Sequence, residues 1–186
     1  MREKVALLIL LAACCFGCDK APDLVLPEKS VEGLNTLGFM VNDCVWSNYG
    51  IRCVGTRCND NFVTAQLQKE AEKPFALSIS AAFTVNRLGI DQQFLLEANG
   101  ITSTGVFSLD SLEGEQMIWV ENMDEKYFKE FVLTRQSHGE LVINHYDTLF
   151  GIVSGEFNGV LFNPQRPAET ITIRHGRFDA ELQYKR

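Results

Sequence analysis

Residues 75–85 read Phe75-Ala76-Leu77-Ser78-Ile79-Ser80-Ala81-Ala82-Phe83-Thr84-Val85. Phe75, Leu77, Ile79, Ala81, Phe83 and Val85 take one parity; Ala76, Ser78, Ser80, Ala82 and Thr84 take the other. Successive side chains of a strand point to opposite faces, so alternation sustained over this length predicts a half-buried antiparallel strand. The C-terminal stretch repeats the pattern: Phe178, Ala180, Leu182 and Tyr184 alternate with Asp179, Glu181 and Gln183. Further strands are expected over Phe62–Gln68, Gln92–Ala98, Gln116–Glu121, Leu141–Tyr146, Gly151–Glu156, Gly159–Phe162 and Thr170–Arg174. Turn pairs separate them: Asn99-Gly100, Glu113-Gly114, His138-Gly139, Asn163-Pro164 and His175-Gly176. Met123 to Phe131 reads either as a short helix capped by Asn122 or as a charged loop entering a strand. Many short strands with frequent turns predict one all-β domain over 36–186. The first expectation is an antiparallel two-sheet sandwich, and the alternative is a lipocalin-like closed barrel.

The other end of the chain sets its address. A charged start, Met1-Arg2-Glu3-Lys4, precedes an apolar run from Val5 to Ala13 and three cysteines, Cys14, Cys15 and Cys18. The run is too short to span a bilayer, which takes about 20 apolar residues. It has the parts of a secretory signal. Leu11-Ala12-Ala13-Cys14 matches a lipid-attachment box best by residue type, but cleavage there leaves a short signal and an apolar start to the mature chain. Cleavage before Cys18 puts Asp19-Lys20 directly after the anchor. Cys18 is therefore the expected acylated residue, with Cys14 the alternative, which makes 1–17 a signal peptide. Residues 18–35, with prolines and charged residues around the short Leu24-Val25-Leu26, read as a flexible tether. No later stretch is long and apolar enough to span a bilayer as a helix.

The 186 residues carry a formal net charge of −7, with the acidic residues scattered. An acidic surface repels phosphate backbones, so nucleic acid is not an expected partner.

Leu37–Val41 and Cys44–Trp46 flank Asn42-Asp43, a pair suited to a type I′ hairpin. With Leu26-Pro27, Gly33, Asn35, Thr36, Gly38, Val41, Asn42 and Trp46 in order, this region resembles a family of lipoproteins common in Bacteroidota, whose mature chains open on a leucine-proline and then G-x-N-T-F-G-C-x-V-N-G-x-x-W. Leu37, Phe39 and Asp43 depart from that pattern. The closing motifs match too: Ile152, Ser154, Gly155 and Phe157 resemble I-x-S-G-x-F, and Ile173, Gly176, Arg177, Phe178 and Asp179 resemble I-x-x-G-R-F-D. The resemblance covers both ends of the mature domain. It implies a lipid-anchored protein of the outer membrane, on the periplasmic or cell-surface side, and carries no activity. The motif residues themselves read as scaffold, with glycines releasing tight turns and phenylalanines filling a core.

Cys44, Cys53 and Cys58 follow the signal region. In an exported protein a disulfide is the first reading, with Cys53–Cys58 around Gly55 the preferred pair. Free buried thiols, a metal site and a catalytic thiol are the alternatives. C-x4-C lacks a second ligand pair for zinc. His145 shares parity with Leu141 and Ile143, and His175 with Ile171 and Ile173. Both can end strands at one mouth near Asp147 and Asp179, although His138 and His175 also precede glycines, as turn residues do. No nucleophile elbow, phosphate loop or metalloprotease helix is present in the sequence. No catalytic, cofactor or metal residue is assigned. The expected function is a non-catalytic binding or envelope-structural module for an unknown protein or glycan ligand; the alternative is a hydrolase acting on glycan or peptide. Two facing carboxylates in a cleft favour the hydrolase, and an exposed aromatic patch with Trp46 or Trp119 favours the binding module.

Overall fold

The computed structural model describes residues 22–54, 56–68, 76–109, 115–123, 128–134 and 137–185. Thirteen strands follow one another: β1 (Thr36–Val41), β2 (Cys44–Ser47), β3 (Ile51–Val54), β4 (Arg57–Asp60), β5 (Val63–Gln68), β6 (Ala76–Val85) and β7 (Ile90–Asn99), then β8 (Gly105–Leu109), β9 (Gln116–Asn122), β10 (Lys129–Val132), β11 (Gly139–Asp147), β12 (Ile152–Asn163) and β13 (Arg166–Lys185). The sole helical piece among the described residues is a 3₁₀ turn at Asn86–Leu88. Lys129–Val132 is strand, so the charged run ends in β10 rather than in a helix; residues 124–127 of it, like Phe75, lie outside the described residues.

The fold is all-β. Eleven strands share one hydrogen-bonded sheet, and β3 and β4 form a separate ribbon. The large sheet resolves into two antiparallel layers, β2-β1-β13-β12-β11-β8 and β5-β6-β7-β9-β10. They face each other through aromatic rings: Phe94 of β7 lies 4.9 Å from Phe39 of β1 and 5.0 Å from Phe157 of β12. Two corners join them, at opposite ends of the β12–β13 ladder. Val132 of β10 pairs with Phe162 of β12. Leu182–Lys185 of β13 pairs with Ala65–Gln68 of β5, and this contact is parallel. The expectation of a purely antiparallel fold is corrected here. β13 is long enough to run past the end of β1 and meet β5 in the other layer.

β12 and β13 also correct four of the expected boundaries. The expected Gly151–Glu156, which begins at Ile152, and Gly159–Phe162 are parts of one strand, as are Thr170–Arg174 and Phe178–Tyr184. His175-Gly176 is not a turn between strands. Gly38 and Met40 of β1 oppose Arg177 and Arg174, and Phe157 and Gly159 of β12 oppose Gly176 and Ile173. β13 thus carries one extra residue toward both neighbours, a β-bulge in which His175 has φ +54°. The extra residue flips the parity. Ile171 and Ile173 before it, and Phe178, Ala180 and Leu182 after it, all reach the same core. Tyr184, expected on that face, is half-exposed beyond the core's edge and its hydroxyl donates to the Thr148 carbonyl at 3.0 Å. In the β1–β2 turn only Asn42 has positive φ, so it departs from type I′, which needs both central residues there. Asn42 is held instead by β13: its N–H donates to Thr172 O, and its Oδ1 accepts from Thr172 N–H.

Two glycines on the core face of the ladder are not turn residues either. Gly155 sits opposite Phe178, and Phe157 sits opposite Gly176. A Cβ on Gly155 would meet the Phe178 ring at 3.0 Å and collide with Val142 O; one on Gly176 would meet the Phe157 ring at 2.5 Å. Each phenylalanine lies in the space its glycine leaves, so strand glycines here allow close approach.

The segment expected as a flexible tether is laid on the domain from Leu24 to Leu34. Pro27 covers Gly38, Lys29 pairs with Glu156 at 2.8 Å, and the backbone N–H groups of Glu32, Gly33 and Leu34 all donate to the Asp179 carboxylate at 3.0–3.2 Å. Asp179 does have the outward parity of β13, but this cover buries it to 1% exposure. The Lys29 ammonium holds the Glu156 carboxyl below the usual glutamate range.

Gly176→Ala is expected to cost about 1–3 kcal/mol by overpacking the Phe157 contact. Gly105→Ala, whose added methyl meets nothing closer than 3.5 Å, should stay near wild type. Urea unfolding of both checks this; equal midpoints would refute the interlock. Asp179→Ala should cost roughly 2–4 kcal/mol, the scale of charge-assisted hydrogen bonds lost together. Hydrogen exchange at Glu32–Leu34 should rise with it, and unchanged protection there would exclude the clamp.

Candidate functional site

A cavity of ≈ 410 Å³ opens between the layers at the end of the sandwich where the β1–β2 turn lies. The first layer contributes β2 and the start of β13, the second contributes β6, β7, β9 and β10, and Leu24 of the N-terminal segment borders it. Its walls are aromatic: Trp46, Phe83, Trp119 and Phe131. Trp119 stacks on Phe131 at 5.8 Å, and Trp46 stacks on Phe39 at 4.7 Å. These rings fix the wall because their other faces are packed in the core.

The polar groups come from strand ends. Lys129 Nζ lies 2.8 Å from Glu121 Oε2 and 2.6 Å from Glu169 Oε1, and 5.1 Å from the centre of the Phe131 ring. Hydrogen bonds to Glu121 and then Glu169 raise the Lys129 pKa above its ordinary value of 10.5. Trp46 Nε1 donates to Gln92 Oε1 at 2.9 Å, which turns the Gln92 amide nitrogen outward from that bond as a donor. The buried Trp119 Nε1 has no acceptor among the described residues. The arrangement is chemically a small apolar-walled site with convergent donors and acceptors.

Glu121, Lys129, Glu169 and Gln92 were not singled out by motif or spacing. Their signal was parity. Glu121 follows Met117 and Trp119, Lys129 precedes Phe131, Glu169 precedes Ile171, and Gln92 precedes Phe94. Each is a polar residue on the inward parity of its strand, at the strand's end. Such residues face the core side where the core opens.

Of the residues that the sequence marks, Trp46, Trp119 and Cys44 line the cavity and the others lie elsewhere or outside the described residues. Cys14 and Cys18 lie outside the described residues. Cys53 stands opposite Cys58 in the β3–β4 ribbon, with Cα atoms 4.0 Å apart and the sulfurs bonded. Cys44 is a free, exposed thiol on the cavity rim. Trp46 and Trp119 are 2% and 5% exposed, so they form cavity wall and not an exposed aromatic patch. His145 and His175 do not meet at one mouth. A second bulge, between Ile143 and His145, takes His145 off the parity of Leu141 and Ile143, and the bulge in β13 puts His175 on the surface. His175 instead borders a shallow groove with His138. Asp147 accepts from the N–H groups of Leu149 and Phe150 and shapes the β11–β12 turn. Among the described residues no three His, Cys, Asp or Glu side chains converge to hold a metal ion.

No family model matches the chain, and no curated protein or solved structure matches it.

Peptide mapping under non-reducing conditions should recover Cys53 and Cys58 in one cross-linked fragment and Cys44 alkylated. Reduction should speed amide exchange in the exposed β3–β4 ribbon and leave the core strands protected, since the ribbon belongs to neither layer. Global unfolding on reduction would contradict that.

Proposed function

We propose that this protein is a non-catalytic binding module of the cell envelope, anchored to the outer membrane by an acylated Cys18, with the cavity beside Trp46 and Trp119 as its ligand site. The observation that carries the binding role is the cavity itself. Its volume, ≈ 410 Å³, lies in the range of small-molecule sites, and its wall combines aromatic rings with a few placed polar groups. The signal-like start, the cysteines that close it and the resemblance to Bacteroidota lipoproteins support the anchor.

One observation favours the hydrolase reading: Glu121 and Glu169 share the cavity, as paired carboxylates do in glycosidases. Neither is a free carboxylate, since each is ion-paired with Lys129. That occupies the groups an acid–base pair would use and favours binding over turnover.

Two measurements test the proposal. Mass spectrometry of the N-terminal peptide should find a diacylglyceryl-modified Cys18, and Cys18→Ser should move the protein from the membrane fraction to the soluble one. A lipid on Cys14 would shift the anchor, and a soluble wild-type protein would remove it. Incubation with oligosaccharides and peptides should yield no product by chromatography and mass analysis; a product lost in Glu121→Gln would replace binding with hydrolysis.

A further inference from the structure

The polar groups of the cavity differ in what they still need. The Gln92 amide nitrogen remains a donor after its oxygen accepts from Trp46. Across the same space, Glu121 and Glu169 retain acceptor capacity beyond their bonds to Lys129. The cavity therefore offers both donors and acceptors. We infer that it takes a neutral sugar, one or two rings in size, whose hydroxyls accept from Gln92 and donate to Glu121 and Glu169. This inference rests on the reading of the cavity as a binding site.

The alternatives meet specific obstacles. An anionic ligand faces two carboxylates against one ammonium on a chain of net charge −7. A cationic ligand finds the position over the Phe131 ring that it would seek already held by Lys129 Nζ, 5.1 Å from the centroid. A fatty chain would cover the Glu121–Lys129–Glu169 cluster without replacing the water that solvates its exposed portions, which is costly for charged groups. A hydroxyl is both donor and acceptor, so it serves each side of the cavity, while the apolar ring face of a sugar rests on aromatic wall.

The chain supplies its own reporter. It has two tryptophans, Trp46 and Trp119, and both line the cavity, so intrinsic tryptophan emission reads this site alone. The full-length protein is titrated with glucose, galactose, mannose, N-acetylglucosamine, maltose, cellobiose and diacetylchitobiose up to tens of millimolar, and separately with choline chloride and sodium laurate. At least one sugar should change the emission saturably. Glu169→Gln should weaken that affinity about tenfold with the melting temperature preserved, since Glu169 is part-exposed at the rim. A saturable response to choline or laurate with none to any sugar would overturn the sugar assignment and leave the binding role standing. No response to any of these probes would overturn both. A sugar response that Glu169→Gln leaves unchanged would place the sugar elsewhere and refute this site.

Discussion

Phe157 lies over Gly176, and Phe178 lies over Gly155, side by side on the core face of the β12–β13 ladder. This interlock fills the core face of the ladder between the two longest strands, and the rest of the sandwich is arranged about them. β13 carries β1 on its other edge and reaches β5 at its end; β12 carries β11 and touches β10. Both corners between layers therefore depend on where these strands lie. Phe157 also stacks on Phe94 of the opposite layer at 5.0 Å, so the ring that fills the space of Gly176 also helps set the spacing between layers. A side chain at Gly176 would push on both contacts at once, because a close-packed interior transmits strain.

The all-β class was legible because alternation is a backbone property that tertiary contacts seldom erase, and Leu77, Ile79, Ala81 and Phe83 are buried as their parity requires. The continuity of β12 and β13 was not. His175-Gly176 has the composition of a turn, and a bulge uses the same residue types because it needs the same positive φ. The clue was a contradiction between two parities, odd at Ile171 and Ile173 and even at Phe178 and Ala180. One extra residue reconciles them without a turn. Asp179 shows the complementary limit. Its outward parity was correct, but parity assigns a face and says nothing about what covers it. The cover comes from Glu32–Leu34, far away in sequence.

The cavity was legible in its parts and hidden in its assembly. Glu121, Lys129, Glu169 and Gln92 each break an inward apolar series at a strand end. Nothing local says that four separate strand ends meet. Their convergence follows from the corner at Val132–Phe162, which brings β10 to β12 and so places Lys129 beside Glu169 of β13. The ion cluster is thus a product of topology. The histidines show the converse: His145 and His175 shared the parities expected of a common mouth, and two bulges separated them.

The N-terminal segment links the clamp to the cavity. It enters at Leu24, on the cavity wall, and runs back along the domain to Asp179 before turning into β1. Its two ends are held very differently. At Glu32–Leu34 three backbone N–H groups share a buried carboxylate, whereas Leu24 contributes one half-buried apolar side chain beside Val25, which is 78% exposed. Partial burial of one leucine is worth on the order of 1–2 kcal/mol, less than three charge-assisted bonds acting together. On the proposed anchor at Cys18, the six residues to Leu24 span at most about 20 Å, so the cavity mouth stays close to the lipid surface. Any pull from that side reaches Leu24 first.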